Sequence, residues 1–513
     1  MRPEPDSLRL AACFLVIVCG CGSGSPVCEG GTCRRTVQGA FQTTYWADDG
    51  TKTTLSAPPW VVEGGPATPS ALLVPDSGGY TKLPLTIDSD QRFSVPDVPV
   101  GRYFLELDLD MAVEARCNRL SAFTTVVIAN LFELTASTPD LTRITAERPD
   151  LAFGVVTGTT PESPVRFGLS GLDPWSSSDT LRILSSQAFD SWTPTLQPAP
   201  PVGSTSAAVS FSWGVHGMPD PRQHDVVFVQ QRRTTPIGSG ASAASLTRTA
   251  RFARLTDLSI PFSEASAAVG LGEPPRTGAL AANVAASQFA ALAPDVSPGA
   301  APGRVSVGVL SAPHSVTYPE MPLHSATASL VFLDGSTVDA DYGTVTYGQF
   351  LDPFWKEYRR IFQSFDTPAG AASAVLISDV PMSGVGSTPI VPVLSPPTSP
   401  LIEGKDAFTA QTGVGLEPTI SWSPPRLGAA TSYVVEVLPT AYSCDMTDQV
   451  VGVSAVVRSG TSFRIPPGIL RSGLSYRVTL TARQAPWDTG DAGPFRTGTP
   501  LHSAQCVTAT FVP

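Results

Sequence analysis

The sequence predicts an all-β protein built from several β-sandwich domains. Its 513 residues include 50 prolines and 44 glycines, and Ser, Thr and Val are frequent between them. Proline and glycine mark turns, whereas Val and Thr favour strands. Short runs of alternating apolar and polar residues recur, and VSFSW at 209–213 is one of them. These observations indicate short strands joined by turns, arranged in roughly two to four domains.

The N-terminus predicts export and lipid attachment. Residues 10–20 read LAACFLVIVCG, an apolar run that is too short to span a bilayer as a helix. Cys21 follows it and precedes the small residues 22–25, an arrangement that resembles a bacterial lipobox. The resemblance implies that residues 1–20 are a lipoprotein signal peptide and that Cys21 carries acyl chains such as palmitate. Cys13 also follows lipobox-like residues, but no apolar segment precedes them. The alternative is an ordinary secretory signal that is cut elsewhere.

Composition limits the classes of function. The formal net charge is −11 and basic clusters are few, which argues against nucleic-acid binding. After the signal, no stretch reaches the roughly 18 apolar residues that a spanning helix needs, so we expect the rest to be soluble. The sequence contains no phosphate-binding loop, and we expect neither a cofactor nor a metal.

The placement of the cysteines predicts disulfides in an oxidising compartment. Cys28 and Cys33 are separated by Glu-Gly-Gly-Thr and are expected to form a bridge. A metal site is disfavoured there, because no second Cys or His pair lies nearby. Cys444 with Cys506 is a second candidate bridge, which leaves Cys117 as a buried thiol.

Residues 37–111, which follow a tether at 21–36, are predicted to form the first domain. Near its end, in the segment RFSVPDVPVGRYFLELDLD, Tyr103 and Leu105 face away from Phe104. This alternation predicts a half-buried strand. The order of aromatic residue, turn and Pro-x-Gly-x-Tyr resembles the small prealbumin-like sandwiches related to the carboxypeptidase regulatory domain. The resemblance implies a scaffold without catalytic residues.

Residues 112–386 are predicted to form a central all-β domain with short helices. Strand-like runs recur there without a fixed period, which argues against a regular propeller or solenoid. We expect a large sandwich or two joined sandwiches, and an irregular propeller is the alternative. The first predicted helix is the Ala-rich segment 279–292, which Pro294 ends. The second is DPFWKEYRRIFQSF at 352–365, where apolar residues recur at helical spacing.

The C-terminal part contains a linker and a further domain. The Pro-rich segment 387–404 has neither helical nor strand periodicity and is interpreted as a linker of limited flexibility. In residues 405–513, Trp422 lies near the start and Tyr476 opens the alternating run YRVTLTAR. This combination resembles a fibronectin type III domain. The resemblance implies that Trp422 fills the core from the second strand and that Tyr476 is a tyrosine-corner residue at the start of the sixth.

The histidines form no catalytic pattern. The five are His216, His224, His314, His324 and His502, and they include neither an HExxH motif nor a close pair. His224 precedes Asp225 and could join a serine in a hydrolytic triad. No G-x-S-x-G elbow occurs, however, so a loop histidine is the favoured interpretation.

Carboxylates and aromatic residues suggest two further sites, each with a simpler alternative. Candidate Ca²⁺ ligands are Asp334, Asp339 and Asp341 in one segment and Asp88 and Asp90 in another. Turn chemistry is favoured for them, because the spacing of an EF-hand loop is missing. The aromatic and basic residues at 355–360 could contact a polysaccharide or an acidic partner, although rings packed inward with cationic heads in water are favoured.

The whole chain resembles the surface lipoproteins of GC-rich Gram-negative bacteria, in which Arg outnumbers Lys and Ala and Pro are frequent. The resemblance implies an outer-membrane lipoprotein, and Gly22 in place of Asp after Cys21 suits that sorting. We expect a non-enzymatic protein that displays β-sandwich modules for protein or glycan binding, in an adhesive or structural role. The alternative is an extracellular hydrolase with its active site in residues 112–386. A third hypothesis is a part of a larger envelope assembly.

Overall fold

A computed structural model gives the fold of the chain. It describes residues 27–29, 32–46, 52–56, 60–61, 65–66, 68–76, 78–108, 112–116, 123–134, 141–149, 165–185, 191–192, 200–211, 227–237, 244–255, 266–273, 278–312, 327–330, 336–342, 356–369, 372–381, 389–440, 450–458, 460–485 and 502–513. Within these ranges the regular structure is β-strand apart from two short helices, so the predicted all-β, multidomain class is confirmed. No described helix is both long and apolar enough to cross a membrane.

The N-terminal unit, residues 27–149, is built from two facing β-layers. Its strands are β1 (Val27–Glu29), β2 (Thr32–Trp46), β3 (Lys52–Ser56), β4 (Trp60–Val61), β5 (Gly65–Pro66), β6 (Thr68–Pro75), β7 (Tyr80–Pro84), β8 (Arg92–Pro99), β9 (Tyr103–Asp108), β10 (Ala112–Arg116), β11 (Phe123–Leu134) and β12 (Leu141–Pro149). In the first layer β2 is antiparallel to β1, β3 and β8 and parallel to β12. The second layer runs β7–β6–β9–β11, all antiparallel. Apolar side chains from both layers fill the space between them.

Strand β9 is buried on both faces. Tyr103 and Leu105 lie in the core of the N-terminal unit, as their alternation predicts. The prediction of a half-buried strand is wrong at Phe104, which is 1% exposed on the opposite face. Its ring contacts Phe463 edge to face, with the centroids 5.6 Å apart. A partner so distant in sequence leaves no local pattern, so the sequence around β9 could not predict this second contact.

The middle unit, residues 165–381, contains a long antiparallel sheet with a smaller sheet packed on one end. Its elements are β13 (Val165–Ser170), β14 (Asp179–Ser185), β15 (Ser191–Trp192), β16 (Ser206–Phe211), β17 (Val227–Ile237), β18 (Ala244–Leu255), β19 (Ser266–Gly270), β20 (Gly278–Val284), α1 (Ala286–Ala290), α2 (Ala293–Val296), β21 (Ala301–Ala312), β22 (Thr327–Leu330), β23 (Ser336–Tyr342), β24 (Lys356–Asp366) and β25 (Ser373–Pro381). The long sheet has the order β15–β14–β17–β18–β22–β21–β24–β25. The smaller sheet, β16–β13–β19, covers one face of β14, β17 and β18 and encloses an apolar core around Phe167, Trp175 and Ile183.

Both helix predictions in this unit need correction. The segment predicted as a helix at 352–365 contains strand β24, which hydrogen-bonds to β21 on one side and to β25 on the other. Ile361, Gln363 and Phe365 are buried on one face, so the period of the strand is two. Ile361 and Phe365 fit helical spacing as well, and strand pairing on both sides decides between the two periods.

The Ala-rich segment 279–292 is only partly helical. Residues up to Val284 belong to β20, which pairs with β23, and helix begins at Ala286 in α1. The helical propensity of alanine is worth only tenths of a kcal/mol per residue, so a paired strand overrides it.

The C-terminal sandwich, residues 398–512, has two sheets. Its strands are β26 (Thr398–Ile402), β27 (Lys405–Asp406), β28 (Gln411–Thr412), β29 (Thr419–Ser423), β30 (Ser432–Pro439), β31 (Val450–Val457), β32 (Ser462–Arg464), β33 (Tyr476–Gln484) and β34 (His502–Val512). One sheet is β27–β26–β29–β32 and the other is β31–β30–β33–β34, with β28 beside the end of β34. Trp422 on β29 is 5% exposed and packs edge to face on Tyr433, with the centroids 5.2 Å apart.

The predicted tyrosine corner is confirmed. Tyr476 is fully buried at the start of β33, and its hydroxyl accepts a hydrogen bond of 3.0 Å from the backbone N–H of Arg471. The bond fixes the turn that leads into the strand.

The Pro-rich segment at 387–404 is packed against the fold. Ile390 and Leu394 are buried, and the backbone N–H of Ile390 donates to the carbonyl of Asn283 at 2.7 Å. The first strand of the C-terminal sandwich, β26, begins inside the segment. The domain boundaries at 386 and 404 remain predictions.

The C-terminal sandwich is joined to both other units by strand pairing. At one edge of its sheet, β31 is parallel to β11 over Val126–Phe132 and Val450–Val456. At the other edge, β34 is antiparallel to β25 over Leu376–Ser378 and His502–Ala504. One sheet of 18 described strands therefore runs from the N-terminal unit through the C-terminal sandwich into the middle unit.

We expect Tyr476→Phe to destabilise the C-terminal sandwich by about 1–3 kcal/mol, because the Arg471 N–H loses its buried acceptor while the ring is kept. Hydrogen exchange of the β33 amides measures this free energy locally. Ser472→Ala, at an exposed position of the same turn, should change it by less than about 0.5 kcal/mol. Equal effects of the two substitutions would show that the hydrogen bond of the tyrosine corner adds nothing to the stability of the sandwich.

Candidate functional site

The predicted lipidation site Cys21 lies outside the described residues. The described cysteines nearest to it in the sequence are Cys28 and Cys33. Their Cα atoms are direct partners in the antiparallel β1–β2 pair. Direct antiparallel partners lie about 4.5–5.5 Å apart, within the range that a disulfide spans. The Cys28–Cys33 bridge itself remains a prediction.

Cys506 is completely buried on β34, opposite Leu480. Its thiol is free in the structure, and burial raises its pKa to about 12. Cys444 and Cys117 lie outside the described residues, so the predicted Cys444–Cys506 bridge and the thiol assigned to Cys117 stay predictions. A thiol with this pKa stays protonated at neutral pH and is unreactive as a nucleophile.

The histidines and carboxylates that the sequence singles out do not come together in the described part of the chain. His216, His224, His314, His324 and Asp334 lie outside it. His502 begins β34, and burial lowers its pKa although Asp379 acts in the opposite direction. The described residues contain no group of three or more His, Cys, Asp or Glu side chains that could hold a metal.

Asp88 belongs to a turn, as the favoured interpretation predicts. Its Oδ1 accepts the backbone N–H groups of Asp90 at 2.9 Å and Arg92 at 2.8 Å. Asp339 and Asp341 lie on strand β23, opposite Ala281 and Ala279, and only their backbones are described.

Of the aromatic and basic residues at 355–360, the structure describes the side chains of Arg359 and Arg360. Arg359 is 4% exposed, and burial lowers its pKa. Arg360 forms a two-point ion pair with the buried Asp379, with Nε–Oδ1 at 2.7 Å and Nη2–Oδ2 at 2.9 Å. Both arginines are therefore packed within the fold.

A network of buried polar groups closes one end of the small sandwich in the middle unit. The Asp179 carboxylate has no exposed surface and accepts hydrogen bonds from Ser176, Gln231 and Arg233. Burial alone would raise the pKa of Asp179, but these bonds outweigh it and hold the pKa below its ordinary value. Arg233 also contacts Asp173, so each charge in the network has a partner. Its geometry indicates a structural role.

On the opposite face of the same sheet lie two arginines with a different environment, Arg182 on β14 and Arg232 on β17. Arg182 is directly opposite Gln230, and Arg232 is directly opposite Thr180. The two arginines are therefore diagonal neighbours on one face, within reach of each other. We call them the arginine pair.

The arginine pair has no acidic partner among the residues that the structure describes. Burial lowers the pKa of Arg182, and burial together with the charge of Arg182 lowers the pKa of Arg232. Several other arginines of the described structure face a carboxylate, namely Arg233 with Asp179, Arg360 with Asp379, Arg102 with Glu133 and Arg464 with Glu417. The pair is thus a partly buried cluster of two positive charges.

Sequence reasoning missed the arginine pair. The runs DTLRIL and VFVQQRR contain its residues, and alternation with Leu181, Ile183 and Val229 places them on the face away from the core. What the sequence does not reveal is the register that brings the two strands together.

Comparisons with known proteins add little to this description. No protein-family model matches the sequence, and no curated protein matches it. Among solved structures, the crystal structure of chicken CNTN1 FN1–FN3 domains is similar over 65% of this chain and 90% of that chain, at 10% identity and a TM-score of 0.13. With identity and TM-score this low, the description of the β-sandwiches rests on the strand pairings themselves.

We expect Asp179→Asn to lower stability by about 1–3 kcal/mol near neutral pH, because the buried Arg233 contacts lose their charged acceptor. Since the folded pKa of Asp179 is depressed, its contribution is present above the unfolded value of about 3.9 and is lost as the pH falls through the folded value. The difference between wild type and variant should therefore shrink in strong acid.

Urea unfolding between pH 2 and pH 7 measures the effect of Asp179→Asn. Asp173→Asn is the matched control, since Asp173 contacts the same Arg233 but its side chain is 31% exposed. A larger loss from the control, or a pH-independent difference, would contradict the role assigned to Asp179.

We expect exported protein to contain a Cys28–Cys33 disulfide. Alkylation without reductant, followed by digestion and mass spectrometry, should leave both residues unmodified and yield a linked peptide. In the Cys28→Ser variant, Cys33 should become alkylated without reduction. Alkylation of both thiols in unreduced wild type would refute the bridge.

Proposed function

We propose that the chain is a lipid-anchored cell-envelope protein whose β-sandwiches form one rigid, non-catalytic platform for binding a glycan or protein ligand. The sheet that runs through all three units carries this proposal. Sandwich domains joined by flexible linkers move relative to one another by default. Strand pairing at both edges of the C-terminal sheet opposes such motion, and a rigid platform holds a binding face at a fixed distance from its anchor.

The proposed anchor is acylated Cys21. Strand β1 begins at Val27, shortly after it, so the lipid would hold the N-terminal unit next to the membrane. The platform would then extend from the outer membrane, as the resemblances to surface lipoproteins and to prealbumin-like and fibronectin type III modules suggest.

We propose no catalytic role, because the buried carboxylates of the described structure serve as structural partners of arginines. Glu133, Asp179 and Asp379 have no exposed side-chain surface, and each is paired with an arginine. A general acid or base needs a carboxyl group that can reach a substrate.

Metabolic labelling with radioactive palmitate in a Gram-negative host, combined with membrane fractionation, tests the anchor. We expect the wild type to carry label and to sediment with outer membranes, because several acyl chains give stable attachment. Cys21→Ser should abolish both properties. Cys13→Ser, at the other lipobox-like cysteine, should change neither. Label that survives Cys21→Ser, or unlabelled wild type, would refute lipid anchoring at this residue.

A further inference from the structure

We infer that the N-terminal unit is an internal shield that prevents the C-terminal sandwich from pairing with a second copy of this chain. The shielded surface is the side of the sandwich formed by β31 in one sheet and β32 in the other. This inference goes beyond the proposed display role, and it requires neither a lipid anchor nor a bound ligand.

Strand β31 needs a cover because its own residues do not block pairing. It reads VVGVSAVV and contains no charged residue and no proline. An edge strand of this composition is a template for pairing with another chain. In the structure β11 covers it, with Val126–Phe132 paired to Val450–Val456.

Strand β7, in the same sheet, shows a different form of edge protection. Among the described strands it pairs with β6 alone. It carries Lys82, whose side chain is 61% exposed, and Pro84, which has no N–H group. Lysine and proline both discourage pairing at an edge. Because β31 has neither, its protection depends on the N-terminal unit.

The edge of the second sheet is covered by side chains of the same unit. Strand β32 pairs with β29. The carbonyl of Ser462 accepts a hydrogen bond of 3.0 Å from Nη2 of Arg102. The carbonyl of Arg464 accepts one of 2.7 Å from the hydroxyl of Tyr80. Burial raises the pKa of Tyr80, so this hydroxyl keeps the proton that it donates. The N-terminal unit therefore covers both edges on this side of the sandwich.

The sequence of β31 suits pairing with itself. If two copies pair antiparallel about the middle of the run, its terminal Val-Val pairs oppose each other, and Gly452 lies opposite Ala455. Such pairing relates the copies by a two-fold axis, the commonest symmetry of homodimers. Strand β11 and the second copy then compete for β31. Because β11 belongs to the same chain, its effective concentration is high, and the chain stays monomeric while the shield holds.

Arg102 is the side chain through which the shield can be weakened. Besides its bond to Ser462, it contacts the buried Glu133 at 2.7 Å and lies 5.1 Å from the ring centre of Phe104. Glu133 also accepts the backbone N–H of Arg458, directly after β31. Loss of Arg102 leaves Glu133 buried without its arginine at the junction of the two units, which is costly.

Light scattering of the purified full-length protein after size exclusion tests the shield. All forms carry Cys21→Ser, so that acyl chains cannot cause association. We expect the otherwise unchanged protein to be a monomer. Arg102→Gln should double in mass as its concentration rises, because an uncovered β31 pairs with that of a second copy. Tyr80→Phe removes one hydrogen bond and should dimerise less. Arg92→Gln is the matched control, an exposed arginine of the same unit, and should stay monomeric.

A disulfide between β11 and β31 separates release of the shield from misfolding. Asn130 and Ser454 are direct partners in the two strands. Neighbouring strands lie about 4.8 Å apart, within the range that a disulfide spans, so Asn130→Cys with Ser454→Cys can link them. In the Arg102→Gln background, the oxidised link should restore the monomer and reduction should return the dimer. Misfolded protein would not respond in this way.

A lysine on β31 identifies the surface that associates. Ser454 lies directly opposite Glu436 of β30, so a lysine there faces a carboxylate within its own sheet. We expect Ser454→Lys to abolish the dimer in the Arg102→Gln background, since an edge lysine discourages pairing between chains.

Four results would overturn the inference. They are a dimer with the shield intact, a monomeric Arg102→Gln protein, equal association of Arg92→Gln, and a dimer that survives the oxidised link or Ser454→Lys. Palmitate labelling tests the anchor separately, so the shield and the anchor can fail independently.

Discussion

The parallel pairing of β11 with β31 is the contact on which the arrangement of the units depends. A strand at the edge of a sheet presents unpaired N–H and C=O groups, and proteins cover or block such edges. Here strands from two different parts of the chain cover the edges of the C-terminal sheet, β11 on one side and β25 on the other. The C-terminal sandwich is thus the central part of the architecture, although it comes last in the chain.

Side chains on both faces of the shared sheet consolidate this pairing. Phe104 from the N-terminal unit packs in the core of the C-terminal sandwich, and Val456 from β31 packs in the core of the N-terminal unit. Glu133 on β11 has no exposed surface, contacts Arg102 at 2.7 Å and accepts the backbone N–H of Arg458 at 2.6 Å. A carboxylate buried between two units is costly to separate from its partners, so it favours one register of the two strands.

Local patterns in the sequence predicted the fold class and several details. The alternation in YRVTLTAR and the position of Tyr476 were sufficient for the tyrosine corner, because that motif is formed by residues close together in the chain. The helix prediction at 352–365 was wrong, because the spacing of Ile361 and Phe365 fits both a helix and a strand. Only the pairing with β21 and β25 selects the strand. The burial of Phe104 and the joining of the units depend on contacts between distant segments, which a single sequence does not encode locally. The arginine pair was missed for the same reason.

Hydrogen exchange of the β31 amides of residues 453–456, which pair with both β30 and β11, tests the shared sheet most directly. Between β30 and β11, successive N–H groups of β31 alternate between the two neighbours, so every amide should be protected to a similar degree as those of β30. If β31 were instead a free edge, the amides that face away from β30 would exchange rapidly, and the units would not share a sheet.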